Sequence, residues 1–155
     1  MSEPEYRVET LPGSFETLGL VLDLLSRHAP FADASLATMV PTIRRQLKRG
    51  RQVAALAPNG DLIAYAGWVP TLQASAELWV EDRGPLKILE KDADAVALTI
   101  VVSSAPAVTR ELLRRVRNIC GDKKWYFKRS YDGQLRNNRK QMLVDRHPGA
   151  ISFAG

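Results

Sequence analysis

Residues Ala95-Val96-Ala97-Leu98-Thr99-Ile100-Val101-Val102 form an almost unbroken apolar run of strand length, and this feature constrains the chain most. A strand apolar on both alternating faces belongs inside a sheet covered on both sides. The run is far shorter than the roughly 18–20 residues that cross a bilayer, and so is Leu18–Leu25. Pro106, tolerated in a helix's first turn, follows it, and then Val108, Leu112, Leu113 and Val116 form a helical stripe. A buried strand leading into an amphipathic helix calls for a mixed α+β domain.

The other elements are read from the same two periods. Phe15, Leu18, Val21, Leu22 and Leu25 recur at helical spacing behind Ser14, predicting an amphipathic helix over Phe15–Arg27. A second helix, Ala34–Lys48, follows from Leu36, Val40, Ile43 and Leu47, with Pro41 expected to kink it or start a separate segment. Gly50 stops it after the basic turn of Lys48 and Arg49. Strands Gln52–Ala57 and Leu62–Val69 flank Pro58-Asn59-Gly60-Asp61, a hairpin signal. Thr71–Glu81 stays unassigned between a third strand and a short helix, because its apolar spacing is weak and Leu78, Trp79 and Val80 are consecutive. Lys124–Tyr131 and Gln134–Val144, joined by Asp132-Gly133, read as a closing hairpin, giving the order α-α-β-β-β-α-β-β.

At 155 residues the chain fits one domain over 1–155, with 1–13 and 146–155 expected to be tails. Cys120 is the only cysteine, which rules out an intrachain disulfide and fits a reducing, cytoplasmic setting. The acidic start, with Glu3, Glu5 and Glu9, has the wrong sign for an export signal. The net charge of +5 is uneven: residues 1–109 hold 10 Lys/Arg against 13 Asp/Glu, or −3, whereas 110–155 hold 12 against 4, or +8. Such a basic end attracts an anionic partner. Its aromatics, Trp125, Tyr126 and Phe127 among Lys123, Lys124, Lys128, Arg129, Arg136, Arg139 and Lys140, resemble a single-strand binder's composition. Strand alternation would instead send Trp125 and Phe127 to one face and Tyr126 and Lys128 to the other, leaving the aromatics as core, so nucleic acid is not the expected partner.

Few residues are placed for chemistry. Neither a dinucleotide fingerprint nor a Walker loop occurs, and two histidines 119 positions apart with one cysteine supply no spaced metal set. His28 sits where an apolar helix meets a Pro-containing loop, either as a base opening on a cleft or as a C-terminal cap. His147 falls in the expected tail and takes no role. Asp92 and Asp94 precede the buried strand and could orient a histidine or be solvated loop charges. Thr99 is either a hydroxyl needing a buried partner or an ordinary β-branched strand residue. Cys120 has no histidine or acid beside it in sequence and reads as apolar filler.

Leu18-Gly19-Leu20-Val21-Leu22-Asp23-Leu24-Leu25-Ser26-Arg27-His28 resembles the opening of the RTX toxin-activating lysine acyltransferases, where a Leu-Gly helix runs into a Ser-containing turn and a histidine. Met39-Val40-Pro41-Thr42-Ile43-Arg44-Arg45-Gln46 is similar to that family's Pro-containing helix, and Ile63-Ala64-Tyr65-Ala66-Gly67-Trp68 to its strand ending in Tyr-x-x-Trp. The resemblance covers roughly residues 18–118. It implies a fold related to the Gcn5-type N-acetyltransferases (GNAT) and transfer of a fatty acyl group from acyl carrier protein to a lysine ε-amine of a protein or peptide, with no permanent cofactor. His28 would carry the catalytic histidine, and Ser26, Trp68, Ser103 and Ser104 would line the substrate. Arg110, Arg114, Arg115 and Arg117 would dock the acidic carrier, and a homodimer is compatible. Ser103-Ser104-Ala105-Pro106 replaces the Gln/Arg-x-x-Gly-x-Gly/Ala loop that holds coenzyme A in the wider fold, which suits a carrier-protein donor, with acyl-CoA as the alternative. The family's central-strand aspartate is missing; Thr99 is the nearest polar position, and Asp92 or Asp94 is left to substitute.

Overall fold

The computed structural model describes residues 5–103, 105–127, 130–131, 134–135 and 142–144. In chain order these form β1 (Arg7–Glu9), α1 (Phe15–Leu25), a 3-10 turn (Phe31–Asp33), α2 (Leu36–Arg49), β2 (Gln52–Leu56), β3 (Leu62–Thr71), α3 (Gln73–Val80), β4 (Ala95–Ser103), α4 (Pro106–Cys120), β5 (Lys124–Phe127), β6 (Ser130–Tyr131), β7 (Gln134–Leu135) and β8 (Met142–Val144). Six strands join in the order β1-β2-β3-β4-β5-β8, and β6 and β7 pair separately. β1/β2, β2/β3 and β5/β8 are antiparallel, whereas β4/β5 is parallel and takes α4 as its crossover. This is the mixed α+β class expected from the sequence. No helix among the described residues is long and apolar enough to cross a membrane. Contacts divide the chain into two units, Met1–Gly67 with Ile100–Val116 and Trp68–Thr99 with Arg117–Gly155.

In the first unit, α1 begins at Ser14, whose Oγ accepts the Thr17 N–H at 3.1 Å. Leu18, Val21, Leu24 and Leu25 are buried, but Phe15, expected in the apolar stripe, is 85% exposed. Cβ bonds tilt toward a helix's N-terminus, so the first residue's ring projects beyond the packed turns. The helix stops at Leu25, two residues earlier than expected. The Arg27 and His28 N–H groups bond to the carbonyls three residues back, Leu24 and Leu25, which tightens the last turn. α2 runs unbroken through Pro41. The proline is exposed near the helix start and removes a single donor, and the Thr42 hydroxyl bonds to the Thr38 carbonyl at 2.9 Å. Gly50, at φ +65°, closes the helix, with the Arg51 N–H on the Gln46 carbonyl.

Two buried carboxamides tie this unit's sheet to its surroundings. Tyr65 donates to Gln46 Oε1 at 2.8 Å, and both side chains are fully buried. Gly67 leaves the room: a Cβ there would overlap the Gln46 carboxamide. Gln52 Oε1 accepts the Leu11 N–H at 3.1 Å while its Nε2 donates to the Leu11 carbonyl at 2.8 Å. Segment 1–13, expected as a tail, therefore includes a strand and a core residue: Arg7–Glu9 pair with Ala54–Leu56, and Leu11 is buried. The signal is weak because the strand has three residues amid acidic neighbours. Asn59 shapes the β2–β3 turn, accepting the Asp61 N–H, with Gly60 at φ +92°.

In the second unit the unassigned stretch is a helix, α3. Ala76 and Val80 bury one turn apart against Ala95 and Tyr126. Consecutive Leu78, Trp79 and Val80 hid that period, since Leu78 is exposed. The loop after α3 is pinned by Thr71 Oγ1 to the Lys87 carbonyl (2.7 Å) and by the Lys87 N–H to Ser75 Oγ (2.8 Å). The closing hairpin differs from expectation: β6 and β7 form the tight pair, and β8 returns to β5. Trp125 and Tyr126 are both buried, although they point to opposite faces. β5 is thus covered on both sides, and these rings offer no outward stacking platform. Lys128, Arg129, Arg136, Arg139, Lys140 and His147 lie outside the described residues.

Candidate active site

His28 stands in the first unit, half-buried on the turn after α1. Its N–H bonds to the Leu25 carbonyl at 3.1 Å, and its own carbonyl accepts the Ala32 N–H at 3.0 Å. The main chain is held on both sides while the imidazole makes no hydrogen bond to a described residue. Ser26 is exposed, and its hydroxyl donates to the Asp23 carbonyl at 2.7 Å.

β4 has nine residues, buried on both faces at first and alternating toward its end. Its parallel register with β5 runs, among the described residues, from Ala95↔Lys124 to Leu98↔Phe127. Thr99–Ser103 complete the strand. At the junction with α4, Ser103 Oγ accepts the Ala105 N–H at 3.3 Å and donates to the Ala105 carbonyl at 3.0 Å. Pro106 brings no N–H at all. Among the described residues, the start of α4 therefore presents the Ala107 and Val108 N–H groups, fewer donors than a glycine-rich phosphate loop supplies. Ser104 lies outside the described residues.

The first unit thus holds His28, Ser26, Ser103, Arg110, Arg114 and Arg115. The three arginines are exposed on α4, opposite its buried stripe of Val108, Leu112, Leu113 and Val116, and Arg114 pairs with Glu111 at 2.6 Å. The second unit holds Trp68, Asp92, Thr99 and Arg117. Trp68 is 4% exposed, Thr99 and Arg117 are half-buried, and Asp92 is exposed with φ +61°. Asp94, the other carboxylate weighed beside His28, accepts the Gln73 N–H at 2.8 Å and so fixes the start of α3. Burial pushes the Cys120 thiol up to about 12, with Lys123 opposing, so it is no ready nucleophile. The parallel register of β4 with β5 was not anticipated; pairing between residues 29 apart in sequence leaves no local signal.

The architecture is that of the GNAT N-acetyltransferases, as solved structures show. The chain is similar to arylalkylamine N-acetyltransferase 2 from Aedes aegypti, at 13% identity over 81% of this chain and 76% of that one, with a TM-score of 0.53. It is similar to the loading GNATL domain of CurA from Lyngbya majuscula, at 12% identity over 79% of this chain and 64% of that one, with a TM-score of 0.57. The PaiA N-acetyltransferase from Thermoplasma acidophilum, solved in complex with coenzyme A, matches at 13% identity over 86% and 82%, with a TM-score of 0.52. At these identities the likeness is one of fold. No protein-family model and no curated protein matches the sequence.

Proposed function

We propose that the chain is an N-acyltransferase taking an acyl group from a pantetheine thioester to an amine, with acyl carrier protein as donor and a protein or peptide lysine as acceptor. The observation that carries this is His28, half-buried on the turn after α1, with its main chain held on both sides and its imidazole bonded to no described residue. The nitrogen of a neutral amine attacks the thioester carbonyl, His28 takes the proton that nitrogen loses, and the C–S bond breaks to give the amide and the pantetheine thiol, whose sulfur receives that proton back. Free lysine titrates near pH ~10.4, so a positioned base is needed at neutral pH.

The junction with α4 supports a carrier-protein donor over coenzyme A. With Pro106 lacking an N–H and Ala105 bonded to Ser103, a pyrophosphate finds few donors among the described residues there. A carrier's recognition would rest on its acidic surface and exposed Arg110 and Arg115. The coenzyme A complex of the Thermoplasma neighbour favours the second reading, acyl-CoA as donor. The short motifs shared with toxin-activating acyltransferases support the lysine acceptor, and a homodimer is compatible with either donor.

Intact-mass spectrometry of a lysine peptide, with acyl carrier protein or coenzyme A bearing the same acyl chain, tests both points. Transfer is expected with at least ten-fold higher kcat/KM from the carrier protein, falling about 100-fold in His28→Ala. Equal transfer by His28→Ala and the parent removes the base. Preference for acyl-CoA selects the second donor, and no transfer from either ends the enzyme reading.

A further inference from the structure

At the end of α1 remote from His28, the first unit carries a half-open groove of about 700 Å³ between the start of α1 and the last turns of α2. We propose that this groove binds a single-chain anionic amphiphile, and that a fatty carboxylate is its occupant. α1 has eleven residues, so at 1.5 Å per residue about 16 Å of helix separates the groove from the turn bearing His28. The site is distinct from the one proposed for acyl transfer and does not depend on it.

Leu18 and Leu47 supply the apolar floor and Phe15 an apolar wall. Phe15 is the most exposed large hydrophobic side chain among the described residues, at 85%. A ring left in water beside a groove gains by covering, since burial of an aromatic is among the larger single apolar contributions. The volume lies within the roughly 300–1,000 Å³ of small-molecule sites, whose pattern is apolar walls with a few placed polar groups.

The charge of the rim selects the head group. Arg44 and Lys48 line the groove four residues apart on α2, so they face the same side at about 5–6 Å spacing. Both are exposed, and neither is paired with a described residue. Two like charges at this spacing repel, and an anion between them is doubly attracted. An apolar floor under two cations fits a hydrocarbon chain ending in a carboxylate. A polyphosphate would leave the floor uncovered, and a nucleic acid would need a longer charged track than one groove provides.

The test is calorimetric titration of the full chain with dodecanoate below its micelle concentration, with amide chemical shifts followed in parallel. Binding at one per chain is expected, with shifts concentrated at residues 13–18 and 44–48. Dodecylammonium, which has the chain but the opposite charge, and butyrate, which has the charge but little chain, should bind at least ten-fold more weakly. Arg44→Gln with Lys48→Gln, and separately Phe15→Ser, should weaken dodecanoate about ten-fold. All three positions are exposed, so an unchanged Tm verifies that the variants fold. Equal affinity for dodecylammonium, unchanged affinity in either variant, or shifts elsewhere would overturn the proposal. So would binding to phosphatidylglycerol vesicles without binding of the monomer, which would mark the face as membrane-directed.

Discussion

Gly67 is predicted to be irreplaceable because of Gln46, and the cost can be worked from the contact between them. In Gly67→Ala the new methyl group overlaps the Gln46 carboxamide. Overpacking of this kind costs about 1–3 kcal/mol. Moving the carboxamide also strands the Tyr65 hydroxyl, which donates to it at 2.8 Å in a fully buried position. An orphaned buried polar group costs a further ~1–3 kcal/mol. The sum, about 2–6 kcal/mol, corresponds to a fall of roughly 5–20 °C in Tm at this chain length. Urea unfolding followed by far-UV circular dichroism measures it. Gln46→Ala alone loses the tyrosine bond and leaves a cavity, but it empties the space the methyl group needs. Gln46→Ala/Gly67→Ala should therefore lie within about 1 kcal/mol of Gln46→Ala, a strong favourable coupling. Additive losses in the double variant would refute the reasoning, as would a Gly67→Ala protein within 0.5 kcal/mol of the parent (about 0.5 being the usual scatter of a neutral change).

Three further outcomes follow from particular contacts. Gln52→Met keeps the side chain's length but removes both bonds to Leu11, so stability should fall by about 2–5 kcal/mol in urea titration; a loss below about 1 kcal/mol would show that Leu11 finds other partners. Cys120, raised from 9.0 to about 12 by burial, should react with iodoacetamide at pH 8 far more slowly than a free thiol, roughly 10³-fold by thiolate fraction. A rate near that of free cysteine would place the thiol in solvent. Because this thiol and the buried Tyr65 phenol are both raised, each keeps its proton longer folded than unfolded. Their contribution is complete below about pH 9 and is lost as pH climbs through the thiol's folded value. Stability constant from pH 8 to 11 would contradict it.

The sequence disclosed the elements whose periodicity survives tertiary packing. The apolar run of β4 and the Val108-Leu112-Leu113-Val116 stripe of α4 lie where patterning put them, since a two-sided burial and a single buried face each leave a plain signature. α3 was hidden because Leu78, Trp79 and Val80 are apolar in succession and only the packing shows which one faces in. Phe15 misled for the opposite reason: it keeps the helical spacing yet has no neighbouring turn to pack against. Around the candidate site, the turn bearing His28 was legible from the helix end and Pro30. The engagement of Asp94 with α3 and the parallel register of β4 with β5 were not, because each depends on which distant segment the fold brings alongside.

The three-residue strand β1 has a further consequence. It caps the rim of Gln52–Leu56, whose five residues are all buried. Without the first eleven residues, that rim would present unsatisfied main-chain donors and a Val-Ala-Ala-Leu surface to any extended peptide nearby, the conditions under which sheets grow from one molecule to the next. With that rim covered by residues 7–9, a chain trimmed to start at Pro12 is expected to aggregate at lower concentration than the 155-residue chain, as light scattering would show.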